Sequence, residues 1–297
     1  MKINNCRSCQ SKELISCLNL GNQFLTGIFP KNVNQNVSRR NLALKYCKKC
    51  SLLQLDKNFN RYEMYGSNYG YMSSLNLSMI SHLKNKSDKI KKIAKIENTD
   101  SIIDIGSNDG TFLSFFVKSC QTIGIDPTIV KFKNMYNKKT KVISDFFSSA
   151  IIKKNLIKKA KVITSIAMFY DLEDPIAFSR EIYECLHEDG IWHFEQSYMP
   201  SMIKNISYDT ICHEHLEYYS VKSLKYLMDL ANLKIINISF NQINGGSISL
   251  DVAKKKSKYH ENKVLLNWFL LREKSNGFNN LKIQKNFFNQ CKRHRFL

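Results

Sequence analysis

From Leu75 to Lys254 the chain alternates two kinds of segment, short apolar runs and stretches with helical spacing. SIIDIGS, TIGIDPT, KVISDFF, KVITSIAMF and GIWHFEQS read as strands, because short runs rich in β-branched side chains suit strands buried on both faces. Between them, TFLSFFVKS, TIVKFKNMY, SSAIIKKNLIKK and PIAFSREIYECL predict helices. Ahead of the first strand, Leu75, Met79, Leu83, Ile90, Ile93 and Ala94 recur at helical spacing among lysines. Such alternation gives a parallel sheet with helices on both faces. Two last strands, LKIINISFN and SISLDVAK, are joined only by QINGG, which predicts an antiparallel hairpin. The expected fold class is α/β, a doubly wound, mostly parallel seven-stranded sheet closed by an antiparallel strand.

Residues 1–74 lack this rhythm and predict a small β-rich module and a connector, with 75–255 as the large domain. Residues 256–297 predict a basic, partly helical tail, its helix in HENKVLLNWFLLREK. The module holds Cys6-Arg-Ser-Cys9 and Cys47-Lys-Lys-Cys50. Two C-x2-C pairs can present four thiolates to one tetrahedral ion, which predicts structural zinc on Cys6, Cys9, Cys47 and Cys50. Arg7, Lys48 and Lys49 stand beside the thiols and would favour their deprotonated form. The other five of the nine cysteines read as ordinary thiols.

The formal charge is +20, from 45 basic and 25 acidic residues. Lysines are scattered rather than gathered into an arm, so the charge reads as general composition more than a nucleic-acid surface. No apolar run reaches the ~20 residues of a membrane span, and MKINNCRSCQ has no apolar leader core. The expected compartment is the cytoplasm.

IIDIGSNDGT places a strand, a glycine turn and a helix start in succession. Asp126 follows twenty residues after Gly106, at the end of the second strand, where an acid can accept ribose hydroxyls. The turn lacks the G-x-G-x-x-G that a pyrophosphate needs, so it suits S-adenosylmethionine better than a dinucleotide. The cofactor set is Asp104, Gly106, Asn108, Gly110, Asp126, Asp145 and Phe146.

Several segments, in order, carry a resemblance: the two C-x-x-C pairs, LNLGNQFL, YGSNYGYMSS, DIGSNDGTFL, FEQSYMP, YDTICHEHLEYYS and NQINGGSISLDVA. Over about residues 1–255 the chain resembles the sugar C-methyltransferases, Rossmann-like class I methyltransferases with an N-terminal zinc-binding module. The resemblance implies methylation at carbon 3 of a nucleotide-linked 4-keto deoxysugar, a small-molecule partner tied to polysaccharide biosynthesis. It places the catalytic pair on Glu214 and His215, with Tyr71 at the active site. It also implies a further α/β region after Leu297, so a truncated C-terminal region is expected.

C-methylation beside a ketone needs a base, a partner for the enolate and an aligned methyl donor. His215 is the expected base, because imidazole titrates near working pH. Glu214 tunes the site or binds a hydroxyl, His213 is structural, and Tyr218, Tyr219, Asn244 and Gly245 are candidate substrate contacts. A metal on His213 and His215 lacks further ligands nearby. Two other functions fit the same chain: an RNA methyltransferase with a zinc module, and a truncated non-catalytic relative that binds a partner. SIAMFYDLEDP lacks the Asn/Asp-Pro-Pro-Tyr type of motif expected of the first.

Overall fold

The computed structural model describes residues 2–28, 30–65, 69–155 and 159–294. Part of YGSNYGYMSS (66–68), part of the 148–159 helical segment (156–158) and the last three residues of the basic terminus (295–297) lie outside the described residues.

Among the described residues, eleven strands form two sheets. The N-terminal sheet contains β1 (Leu14–Phe24), β2 (Arg39–Cys47) and β3 (Leu53–Leu55). The large sheet contains β4 (Ser101–Ile105), β5 (Gln121–Ile125), β6 (Lys141–Ile143), β7 (Ala160–Ile166) and β8 (Leu186–Ser197). A short strand, β9 (Glu217–Tyr218), precedes β10 (Leu233–Asn241) and β11 (Ser247–Lys254). The large sheet runs β10-β11-β8-β7-β4-β5-β6. β4 to β8 pair in parallel, while β11 is antiparallel to both β8 and β10. The expected architecture is thus observed, with the antiparallel strand inserted second from the edge. Ile102, Ile103 and Ile105 of β4 are all buried, as the central strand of a sheet covered on both faces requires.

Helix Leu77–Ala94 starts at Asn76, whose side chain accepts from the Ser78 N–H, and lays Leu83, Ile90 and Ala94 against the core. Helix Pro175–Cys185 is capped by Asp174 with proline at its first turn. Two expected helices shorten. TFLSFFVKS gives one turn, Thr111–Ser114, and TIVKFKNMY gives Ile129–Phe132 followed by a 3-10 turn. Neither has a side-chain cap, and connections this short leave little chain to repay helix nucleation.

The tail departs further from expectation. Beyond helix Lys263–Ser275 stands a second one, Leu281–His294. Its Phe287, Phe288 and Cys291 are buried with Leu18, Leu42, Leu44 and Tyr46 of the N-terminal sheet. The Tyr46 hydroxyl donates to the Asn279 carbonyl at 2.8 Å. Glu273, also buried, accepts from the Tyr198 hydroxyl and the Val221 and Lys222 N–H groups, so the tail caps helix Val221–Leu230.

The N-terminal sheet is closed by β9, in order β1-β2-β3-β9, with Leu53 opposite Tyr218 and Gln54 opposite Glu217. β9 begins two residues after His215, with Leu216 between them, so the zinc-type module grips the segment that carries the candidate base.

Candidate active site

A cavity of about 910 Å³ opens at the carboxyl ends of the parallel strands, the edge at which open α/β sheets bind ligands. One half is lined by Asp104 at the end of β4 and Gly106 and Asn108 after it, Asp126 after β5, and Asp145 and Phe146 after β6. Asp126 Oδ2 accepts the Asn108 N–H at 2.9 Å, and Oδ1 accepts the Thr128 N–H and hydroxyl at 2.7 and 2.6 Å. An ionised carboxylate has about four lone-pair sites, so capacity for a ribose hydroxyl remains. Asp145 is exposed apart from a bond to the Phe146 N–H, and the Arg61 guanidinium lies 4.1 Å from the centroid of the Phe146 ring. Asp104 accepts the Thr164 hydroxyl at 2.6 Å, and burial pushes its carboxyl up to about 7. The Asn108 amide bonds the Ser73 N–H and the Tyr71 carbonyl, fastening the connector over the cavity. Acids without a pyrophosphate cradle fit S-adenosylmethionine, which carries a sulfonium and an ammonium group.

The other half is built by Asp171, Gln196, Glu214, His215, Ile243 and Asn244, with Tyr65, Tyr69 and Tyr71 from the connector. His215 Nδ1 lies 2.8 Å from the Thr210 carbonyl oxygen. A carbonyl only accepts, so in the neutral ring Nδ1 carries the hydrogen and Nε2 keeps the lone pair. The imidazole packs 4.2 Å from the Tyr170 ring. It also borders a second cavity of about 420 Å³, lined by Ser197, Ser207, Asp209, Thr210, Asn244 and Gly245. Burial raises the pKa of Glu214, against the pull of His215. Gly27 passes so close to Glu214, at φ +82°, that a Cβ there would stand 2.7 Å from Oε1. His213 faces the other way: its Nε2 lies 3.1 Å from the Arg40 carbonyl oxygen and its N–H donates to Thr26 Oγ1. The two rings are thus held by separate carbonyls.

Three expected contacts are corrected. Gly110 takes φ +78° but approaches the Tyr136 ring, 2.7 Å from a would-be Cβ, and does not line the cavity. Tyr218 is buried in the N-terminal core. Tyr219 is buried on the large core, stacked 5.4 Å from Phe169. β9 and the bridge after it place both rings inside packed layers, away from the cavity lining. Tyr71, 45% exposed, does line it. Asp171 and Gln196 were missed, although Asp171 follows β7 and Gln196 stands at the carboxyl end of β8, the sheet edge that made Asp126 a candidate. Asp171 Oδ2 accepts the Tyr65 hydroxyl at 2.8 Å, and burial raises its carboxyl well above the usual range.

The sulfurs of Cys6, Cys9, Cys47 and Cys50 all lie within 4.8 Å of one another. Four soft donors fill a tetrahedral shell and leave no open position, so the cluster is a structural zinc site. Lys48 and Lys49 are exposed beside it. Arg7 is instead buried and turned from the thiols. Its guanidinium donates to the carbonyls of Leu55 (2.7 Å) and Lys57 (3.0 Å) and to Asn58 Oδ1 (2.6 Å), with Nε 3.4 Å from Glu217 Oε1.

A methyltransferase-domain family matches residues 79–238, and a zinc-binding domain matches residues 6–65. Among curated proteins, the C-methyltransferase NovU of Streptomyces niveus is 23% identical over 280 residues, covering 93% of this chain. The chain spans 66% of that relative's length. Among solved structures, the plantazolicin methyltransferase BpumL in complex with SAH aligns at TM-score 0.45 and 16% identity, over 59% of this chain and 83% of that one. An S-adenosylmethionine-dependent methyltransferase from Clostridium acetobutylicum aligns at TM-score 0.45 and 9% identity, over 59% and 92%. Among the described residues, no helix is long and apolar enough to cross a membrane.

Proposed function

This chain belongs to the methyltransferase-domain family, and we propose that it acts as an S-adenosylmethionine-dependent methyltransferase. On that premise we propose that it methylates a carbon beside the ketone of a nucleotide-linked deoxysugar. The observation that carries the reading is the tautomer of His215. Its Nδ1–H is committed to the Thr210 carbonyl, so Nε2 is the basic nitrogen, on a ring that borders both cavities.

His215 Nε2 takes the proton from the carbon next to the carbonyl, and the C–H electrons pass into an enolate. The resulting imidazolium is held by the Thr210 oxygen and by the nearby acids Glu214 and Asp171. Asp104, Gly106, Asn108, Asp126, Asp145 and Phe146 hold the cofactor, which when bound supplies the electrophilic methyl group. Tyr71 closes the cavity from the connector, and Asn244 and Gly245 edge the hydroxyl-rich second cavity, where a sugar's remaining hydroxyls find partners.

Apart from Arg61, the charged lining residues described are acids. The sugar, rather than the diphosphate, therefore enters the cavity, and a nucleic-acid backbone is a poor fit there. The NovU likeness in the relative's C-methyltransferase name supports the same class. The test is calorimetric titration with S-adenosylmethionine and S-adenosylhomocysteine, followed by turnover on nucleotide-linked 4-keto-6-deoxyhexoses. Asp126→Ala loses cofactor binding. His215→Gln keeps it and loses methylation. Full turnover by His215→Gln would remove the base assignment.

A further inference from the structure

Gln196 is one residue short of the end of β8, opposite Ile248 of β11. It is 1% exposed, yet neither its amide oxygen nor its amide nitrogen has a hydrogen-bond partner among the described residues. It lines the large cavity together with His215 and Asn244. A buried primary amide left unpaired at both ends costs about 1–3 kcal/mol for each group, so native chains keep such groups where a ligand supplies the partners. Its chain neighbour Glu195 shows the contrast. That carboxylate is saturated by His82, Lys86, Asn241 and Ser249, all at 2.5–2.6 Å, and ties helix Leu77–Ala94 to the sheet.

We propose that Gln196 binds the acceptor as an α-hydroxy ketone, its N–H donating to the carbonyl oxygen and its C=O accepting from the neighbouring hydroxyl. The proposal rests on the C-methylation reading above and narrows its substrate class. An amide presents a donor and an acceptor side by side whichever way it is turned, which matches a carbonyl and a hydroxyl on adjacent carbons. When His215 takes the proton from the hydroxyl-bearing carbon, negative charge collects on the carbonyl oxygen. The Gln196 N–H then stabilises that oxygen through a hydrogen bond without transferring its proton.

The experiment follows solvent-deuterium exchange at the carbon beside the ketone of a nucleotide-linked 4-keto-6-deoxyhexose, with zinc-loaded protein saturated in S-adenosylhomocysteine. The variants are Gln196→Met, which keeps length without polar atoms, and Gln196→Glu, which keeps the acceptor and loses the donor. Exchange is expected to fall about a hundredfold to a thousandfold in both, the usual loss for one oxyanion donor. S-adenosylhomocysteine affinity stays unchanged, and the thermal midpoint of Gln196→Met equals or exceeds that of the parent, because no protein hydrogen bond is lost. Exchange within a few-fold of the parent in Gln196→Met would overturn the proposal while leaving His215 as base. Loss of cofactor affinity and of thermal stability together would make Gln196 structural and overturn it also. Absence of exchange in the parent protein, with S-adenosylhomocysteine bound, would overturn the C-methylation reading and this role with it.

Discussion

Replacing Arg7 by methionine is expected to damage the molecule far beyond the zinc knuckle in which it sits. Its guanidinium and Glu217 are both buried, with side-chain exposures of 2% and 0%. Removing one partner of a buried pair typically costs about 3–5 kcal/mol. Here the carbonyls of Leu55 and Lys57 lose donors as well. Desolvation outweighs Arg7 at Glu217 and raises its carboxyl well above the usual range, so the protonated acid can absorb part of the loss. Arg7→Met should therefore fall near 3 kcal/mol, at the lower end of that range. Glu217→Gln should be milder, and the double variant should cost less than the two singles added, by more than about 1 kcal/mol. Urea midpoints in zinc-saturated buffer, read by tryptophan fluorescence, measure all three. Because Leu216 separates Glu217 from His215, turnover should fall in Arg7→Met while S-adenosylhomocysteine affinity holds. Strict additivity, or an Arg7→Met cost below about 1 kcal/mol, would refute the view that this contact joins the knuckle to the base-bearing segment.

Zinc withdrawal by a strong chelator should lower the thermal midpoint sharply and open the N-terminal sheet, since structural zinc contributes about 10 kcal/mol or more in small domains. Thiol labelling of Cys17 with and without chelator would follow it. Asp104 predicts a pH dependence of definite sign. Its folded carboxyl at about 7 lies above the ordinary 3.8, so the folded state holds a proton that the unfolded chain has released. Stability from this group is present at low pH and lost as pH rises through about 7, up to roughly 4 kcal/mol in all. Asp104→Asn should flatten that slope in thermal melts from acid to neutral pH. Phe287→Ala should cost about 3–5 kcal/mol, and Lys285→Ala on the exposed face less than about 0.5 kcal/mol, as measured by denaturant midpoints.

The large sheet was legible because its signals are local. The strands are short and largely apolar, a glycine or acid follows β4, β5 and β6, and a five-residue link joins β10 and β11 as a hairpin. The place of Asp126 at the cavity edge and the four-cysteine cluster were legible for the same reason, as fixed residue types at fixed spacings. The last helix was not, because Lys282, Lys285, Lys292 and Arg293 surround Phe287 and Phe288 in sequence, and only the three-dimensional face separates them.

Tyr218 and Tyr219 failed for a different reason, and it bears on how the site is made. As a local string, HEHLEYYS reads as one polar, aromatic loop facing one ligand. In the folded chain it is divided residue by residue: His213 to the Arg40 carbonyl, Glu214 and His215 to the cavity, Glu217 to Arg7, Tyr218 to the N-terminal core and Tyr219 to Phe169. Arg40, Arg7 and Phe169 all lie far away in sequence, even though His215 itself is anchored locally by the Thr210 carbonyl, and Arg40, Arg7 and the core around Tyr218 belong to the zinc-bearing module or its sheet. Spacing within the motif cannot encode such a division, since it depends on where β3 and the cysteine knuckle come to rest. A histidine held among neighbours in this way depends on where the zinc module rests, so the module's integrity and the orientation of His215 are properties of one structure.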